Sequence, residues 1–266
     1  MSTPQPGVLA ETELRAVATK FGVADDQVRR DHLISHVLAA IQFVPGVVFY
    51  GGTALTRTVL PDLRLSEDVD LLVSRSRREV ARELSDAIDD GLARSFGEVN
   101  WVPALDATHD AQPATLEVLG RMSVQVQIVN QIGRAVWPTE RRAIDQRYSD
   151  APPAELESLT NAGFAAAKIS AWLERRECRD LFDLWALVSA GLLDSGAKHL
   201  VRRSTIWSRF PQNVVWPTQP DESTWRSRLS HQTRLTVTAA DAYAVVRSTL
   251  ETWATETAEH HNPTAD

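Results

Sequence analysis

Residues 50–73 read YGGTALTRTVLPDLRLSEDVDLLV, and this stretch decides the fold. An apolar β-type run, Val47 to Tyr50, stops at Gly51-Gly52. Thr53 is a good N-cap, so the pattern predicts a short helix from Ala54 to Leu60, closed by Pro61. Val69 to Val73 predicts a second strand, with Asp68 and Asp70 at its mouth. Carboxylates at i and i+2 on a strand point the same way and repel each other. A divalent cation removes that repulsion, and hard oxygen ligands suit Mg²⁺, which is typically held by one or two carboxylates plus substrate phosphates. Glycines let the backbone approach a ligand, and N–H groups at a helix start favour phosphate oxygens, which makes Gly51, Gly52 and Thr53 candidates for binding a triphosphate. Arg64 and Ser66, just before the aspartates, can add a cation and a hydroxyl. A Gly-Gly pair alone is usually a turn, and a lone Asp-x-Asp is usually solvated. The ordered combination is what points to a metal and triphosphate site.

Working outward, Glu11 to Phe43 carries helical spacing in Val28, Ile34, Val37, Leu38 and Ile41, and Pro45-Gly46 ends it. Ser76 can cap a helix running to about Ile88. Residues 97–129 read as a β-meander; its last run, SVQVQIVN, sets Val124, Val126 and Ile128 on one face and Gln125 and Gln127 on the other. Pro152-Pro153 marks a boundary between residues 1–150 and 151–266. From Leu156 onward the pattern is helical, at about 160–176, 179–190, 194–206 and 236–256, with a Trp- and Pro-containing connection before the last. Residues 1–9 and the tail HHNPTAD read as frayed. The implied class is α+β, with a sheet-containing amino-terminal half and an all-α carboxy-terminal half.

The 266 residues suffice for two modest domains, and 43% hydrophobic with 24% charged is ordinary for a globular chain. A single cysteine, Cys178, excludes a disulfide framework and a cysteine-based zinc site. No apolar run is long enough to span a bilayer, and the first residues lack a secretory signal pattern, so a cytoplasmic location is expected. The net charge of -7 argues against a generic nucleic-acid coat, though not against a local basic face. Arginine clusters at 75–78, 175–179, 202–203 and 226–234 are candidates for such a face. Lysine occurs only at Lys20, Lys168 and Lys198. Lys168, among Ala and Ile on a helix, is a candidate point charge for a triphosphate.

The ordered residues Gly51-Gly52-Thr53-Ala54-Leu55 and Arg64-x-Ser66-x-Asp68-Val69-Asp70-Leu71 resemble the signature of the AbiEii/AbiGii-type toxin nucleotidyltransferases, which include the MenT-like toxins of toxin–antitoxin systems. That family lies within the DNA polymerase β-like nucleotidyltransferase superfamily. The resemblance extends to Ala167-Lys168-Ile169 and to Arg179-Asp180-Leu181-Phe182-Asp183-Leu184. It implies a polymerase β-like domain with a mixed sheet, completed by a helical domain. It also implies Mg²⁺ or Mn²⁺ on Asp68 and Asp70, a nucleoside triphosphate substrate, Lys168 on the triphosphate, and an active-site role for Asp180. The implied partners are tRNA 3′ ends as acceptor and a cognate antitoxin. Such enzymes commonly carry a third carboxylate on a later strand; the matching positions here are Gln125 and Gln127, which leaves Glu117 or Asp180 as alternatives. Competing readings are transfer to a protein or aminoglycoside-like molecule, and a non-catalytic nucleotide- or RNA-binding protein of the same fold. His32 and His36, four apart on one helix face, lack further evident ligands and read as packing residues, and Trp172 and Trp185 read as core.

Overall fold

The computed structural model describes residues 7–120, 122–132, 136–203 and 209–255; residues 1–6, the tail HHNPTAD and the last turn expected for the 194–206 helix lie outside them. The helical pattern over 11–43 forms two helices, α1 (Glu11–Phe21) and α2 (Asp25–Ile41), not one. Gly22 separates them in a left-handed conformation, φ 68°, that favours glycine and turns the chain at the end of α1. Then follow β1 (Val47–Tyr50), α3 (Gly51–Thr58), β2 (Asp68–Val73), α4 (Arg77–Phe96), β3 (Val99–Val102), β4 (Ala114–Val118) and β5 (Met122–Asn130). α4 runs on past Ile88, the end expected for it, because Leu92 and Phe96 continue its buried stripe.

Two further strands, β6 (Thr139–Ala143) and β7 (Glu155–Leu159), occupy a region read as the start of the helical half. They complete a mixed sheet of order β3-β4-β5-β2-β1-β7-β6. β1 pairs antiparallel with β2 and parallel with β7, while β2 pairs parallel with β5. The first compact unit therefore comprises Met1–Leu159 together with Ser230–Arg234, and the second Thr160–Leu229 with Leu235–Asp266. The change falls at Leu159, past the expected Pro152-Pro153 boundary, because β7 follows those prolines and returns to the sheet.

In the first unit, α2 and α4 pack on β5. Val69, Leu71, Val124, Val126 and Ile128 are buried, whereas Asp68 and Asp70 alternate with them along β2 and are half-buried. The β2–β5 register sets Asp68 beside Gln125 and Asp70 beside Gln127, so these four residues share one face.

A buried charge cluster fixes the loop that delivers β2. Asp31 on α2 is fully buried, as is Arg57 on α3, and Arg57 Nη2 lies 2.9 Å from Asp31 Oδ2. Arg147 Nη1 is 3.0 Å from Asp31 Oδ1, the Tyr148 hydroxyl donates to Oδ2 at 2.9 Å, and the Ser66 amide donates to Oδ1 at 2.8 Å. Burial alone would raise the Asp31 carboxyl, but Arg57 and Arg147 outweigh it and hold it below the ordinary carboxylate range. Burial likewise pushes the Arg57 guanidinium down to about 10, with Asp31 opposing.

The second unit consists, among the described residues, of α5 (Asn161–Arg175), α6 (Cys178–Ser189), α7 (Ser195–Arg203), α8 (Glu222–Leu229) and α9 (Ala239–Thr255). Thr160 caps α5, its hydroxyl oxygen accepting from the Gly163 amide at 3.1 Å. α8 lies in the expected connection; Trp225 on it is fully buried, and its indole donates to the Val237 carbonyl. Trp172 is also core, whereas Trp185 is half-buried and stacks on Phe182 at 5.6 Å.

Because removing one member of a buried pair leaves an uncompensated charge, Asp31→Asn should cost about 3–5 kcal/mol at neutral pH in urea denaturation. Asp31's folded carboxyl is depressed, so its stabilisation is present above the unfolded value and is lost as pH falls through the folded one. The gap between wild type and Asp31→Asn should therefore close only below about pH 4; a gap already closing at pH 6 would show that Asp31 does not carry it.

Candidate active site

Gly51 opens α3 with φ 82°, a backbone region that costs other residues free energy. Tyr50, not Thr53, occupies the N-cap position, so α3 starts earlier than the sequence pattern suggests. β1 pairs Tyr50 with Asp70, which brings the Gly51 backbone against the Asp70 side chain. A Cβ on Gly51 would lie 2.3 Å from Asp70 Oδ2 and 3.1 Å from its Cβ. Thr53, within the first turn of α3 and fully buried, donates its hydroxyl to Asp68 Oδ1 at 3.0 Å. The glycine turn and the aspartate pair are thus one structural feature: glycine makes room for one carboxylate, and threonine orients the other.

Arg64 and Ser66, expected beside the triphosphate, both make contacts within the fold. Arg64 is buried and donates from Nη1 to Gln232 Oε1 at 3.0 Å. Ser66 is fully buried; its Oγ accepts from Arg57 Nε at 3.5 Å and its carbonyl from Gln27 Nε2 at 2.8 Å. Both therefore hold the loop that carries β2. The segment Ser230–Arg234 does the same from the outside: the Leu65 amide donates to the Gln232 carbonyl at 2.9 Å, and the Thr233 hydroxyl to the Leu63 carbonyl at 2.9 Å. Glu67 is met by Gln232, by His231 at 2.9 Å and by Arg30 at 3.6 Å. Nothing in the local sequence signals these partners, since they lie far along the chain.

Of the two alternatives for a third carboxylate, the sheet register bears on Glu117. Gln125 and Gln127 are the residues beside Asp68 and Asp70, and Gln127 Nε2 donates to the Ala111 carbonyl. Glu117 stands on β4 opposite Ser123, whereas Thr115 is the β4 residue in the Gln125 row, and Glu117 accepts from Asn100 Nδ2 at 3.1 Å. Glu117 is therefore out of the aspartate rows. The residues present fit a hard divalent cation: two carboxylates on one strand face, one of them in direct contact with a helix-opening glycine.

In the second unit, Lys168 on α5 is buried and lies 2.6 Å from Asp183 Oδ2 and 3.1 Å from Asp180 Oδ1, both on α6. Arg175 reaches both Asp180 oxygens at 2.9 Å. The motif resemblance implied active-site roles for Lys168 and Asp180; Asp183, the later aspartate of the same motif, is fully buried and makes the shorter contact. The arginine clusters are partly committed within the fold: Arg75 pairs with Glu83 at 2.7 Å, and Arg226 with Glu222 at 2.9 Å. Arg77 donates to the Ile128 carbonyl at 3.0 Å. Cys178 is buried, which pushes its thiol up, with Glu177 adding to the effect. His32 and His36, read as packing residues, are joined by Asp150 in a buried group.

The chain matches the family model described as Nucleotidyl transferase AbiEii toxin, Type IV TA system, over residues 32–245. No curated protein gives a significant sequence match. Among solved structures, MenT4, the nucleotidyltransferase toxin Rv2826c from Mycobacterium tuberculosis H37Rv, aligns with a TM-score of 0.67 at 23% identity, covering 91% of this chain and 88% of that one. JHP933 from Helicobacter pylori aligns with a TM-score of 0.55 at 15% identity, covering 90% of this chain and all of that one (100%). At these identities the likeness is one of fold.

Two substitutions, one in each unit, probe these local arrangements without an activity assay. Gly51→Ala should lower stability by at least about 1–2 kcal/mol, the cost of a left-handed backbone for an alanine, because Asp70 must also move. Lys168→Ala leaves Asp180 and Asp183 buried with one cation fewer and should cost about 3–5 kcal/mol. Chemical denaturation checks both; a Lys168→Ala protein as stable as wild type would mean the two carboxylates do not depend on the lysine.

Proposed function

The chain belongs to the AbiEii nucleotidyltransferase toxin family, and from that premise we propose that it transfers a nucleoside monophosphate from a nucleoside triphosphate to an acceptor hydroxyl, with the 3′ end of tRNA as acceptor. The observation that carries the reading is the Asp68–Asp70 pair on one face of β2, with Asp70 packed on Gly51 at the opening of α3. Asp68 and Asp70 would hold Mg²⁺ or Mn²⁺, which when bound supplies charge neutralisation to the phosphates and lowers the pKa of the attacking hydroxyl. The first N–H groups of a helix have no intrahelical acceptor, so Gly51, Gly52 and Thr53 offer backbone donors to phosphate oxygens. Thr53 keeps Asp68 oriented. The motif resemblance is what assigns Lys168 to the triphosphate as a positive charge; within its own unit, Asp180 and Asp183 orient its ammonium group. The acceptor hydroxyl gives up its proton to solvent as its oxygen bonds to the α-phosphorus, the bond from that phosphorus to the α–β bridging oxygen breaks, and pyrophosphate leaves. Little covalent work falls to the protein; positioning and charge carry the rate.

Arg64 and Ser66 enter this reading as supports of the aspartate loop. Family membership supports a cognate antitoxin as partner. The tRNA acceptor rests on the motif resemblance; action in the cytoplasm is the expectation from the sequence, and no described helix is long and apolar enough to cross a membrane.

Incubation of total RNA with each α-labelled nucleoside triphosphate and Mg²⁺ tests the proposal on a denaturing gel. Label should appear at tRNA size with wild type and fall by about 100-fold or more with Asp68→Ala or Asp70→Ala, the loss expected when a metal site is impaired. Label on protein with none on RNA would overturn the tRNA acceptor. Growth arrest undiminished by Asp68→Ala would show that nucleotidyl transfer is not the toxic activity.

A further inference from the structure

A second group of ligating atoms lies inside the first unit, away from the β2 aspartates. His32 and His36 are successive turns of one face of α2, and Asp150 comes to them from the loop between β6 and β7. His32 Nε2 is 3.0 Å from both Asp150 oxygens, His36 Nε2 is 3.1 Å from Asp150 Oδ2, and the two Nε2 atoms are 3.2 Å apart. All three residues are buried. The rings are held by aromatic neighbours: Phe96 lies 5.1 Å from His36 and 5.8 Å from His32, and Tyr148 lies 5.0 Å from His32. The Gly7 amide also donates to Asp150 Oδ2, at 2.8 Å. Gly7 sits so close to Ser95 that a Cβ would lie 2.4 Å from the Ser95 Cβ, so the amino-terminal segment reaches Asp150 only through a glycine.

Protons alone satisfy this triangle poorly. With a hydrogen on both Nε2 atoms, each can donate to Asp150, but the two donors then face each other at 3.2 Å. With a hydrogen on one Nε2 only, the bare nitrogen has its lone pair toward the carboxylate at about 3 Å. With the carboxylate ionised, the two inward nitrogens supply at most two hydrogens for three edges, so one edge is left without a hydrogen bond. A cation bound by all three lone pairs removes the conflict. Atoms at about 2.0–2.1 Å from a common tetrahedral centre lie about 3.3 Å apart, close to the spacing found here.

We propose that His32, His36 and Asp150 form a binding site for a zinc-class transition metal ion, separate from the Asp68–Asp70 pair. Two imidazoles and one carboxylate suit Zn²⁺ and similar ions, whereas Mg²⁺ prefers an all-oxygen shell. The described residues supply three ligands, which leaves a fourth position for water. The ion ties α2 to the loop that carries Arg147 and Tyr148, both of which contact Asp31. Its role is to hold that loop and the segment at Gly7 in place, so loading should raise the melting temperature.

The test uses the full chain without an affinity tag, stripped with chelator and titrated with Co²⁺ in excess Mg²⁺. The site predicts one equivalent of Co²⁺, a visible ligand-field band, and displacement of that band by Zn²⁺. His36→Gln should lose the band, while the Asp68→Ala/Asp70→Ala double variant should keep it. A wild type without the band, a band retained in His36→Gln, or one lost in the double variant would each overturn the proposal. X-ray absorption on the Zn²⁺-loaded wild type needs no substitution: two imidazoles and oxygen at about 2.0–2.1 Å support the site, and an all-oxygen shell refutes it. None of these outcomes depends on nucleotidyl transfer.

Discussion

One buried carboxylate sets the terms for the amino-terminal half. Asp31 accepts from Arg57, Arg147, Tyr148 and the Ser66 amide, so a single side chain on α2 is bound to α3, to the loop before β2 and to the loop between β6 and β7. Each charge would cost several kcal/mol if buried alone, and replacing such a group with apolar residues is often neutral for stability. What the arrangement provides is definition. Ser66 is fixed two residues before Asp68, and Arg57 lies on the helix that begins at the glycine turn. The two halves of the candidate site are therefore tied to one charge.

That constraint accounts for the way the Gly-Gly turn and the Asp-x-Asp strand meet. Antiparallel pairing of β1 with β2 sets Tyr50 opposite Asp70, and the next residue must clear the aspartate side chain. Glycine is required there for two independent reasons, its positive φ and the lack of room for a Cβ. A motif usually described by its spacing is, in this chain, a steric fit between adjacent strands.

The features that could be read from the sequence were the local ones. The apolar run of β1, the alternation of β5 and the aspartate pair declare themselves within a few residues, and the α+β class with its helical second half follows from them. β6 was hidden because TERRA is polar and lies at a sheet edge, and β7 because ELESL is short and follows two prolines. α8 was hidden by the prolines around it. Arg64 and Ser66 have side chains suited to a phosphate, but their partners, Gln232 and Arg57, are chosen by tertiary structure. Lys168 stood out as a lysine among Ala and Ile, and Asp180 through the motif resemblance, while the close contact of Asp183 with Lys168 depends on how α5 packs against α6. Asp150 was invisible as a partner for His32 and His36 for the same reason: its distance along the chain exceeds any local pattern.

The segment Ser230–Arg234 belongs to the first unit although the chain on both sides of it, α8 and α9, belongs to the second. The unit bearing the aspartates is thus discontinuous in sequence. No single cut of the backbone can release it whole: a fragment ending at Leu159 would lack Gln232 and Thr233, whose bonds close the loop from Leu63 to Glu67. Nicking, circular permutation or splitting into two pieces for reassembly must respect four chain segments, not two. An evolutionary exchange of the helical half for another would have to keep five residues from its middle.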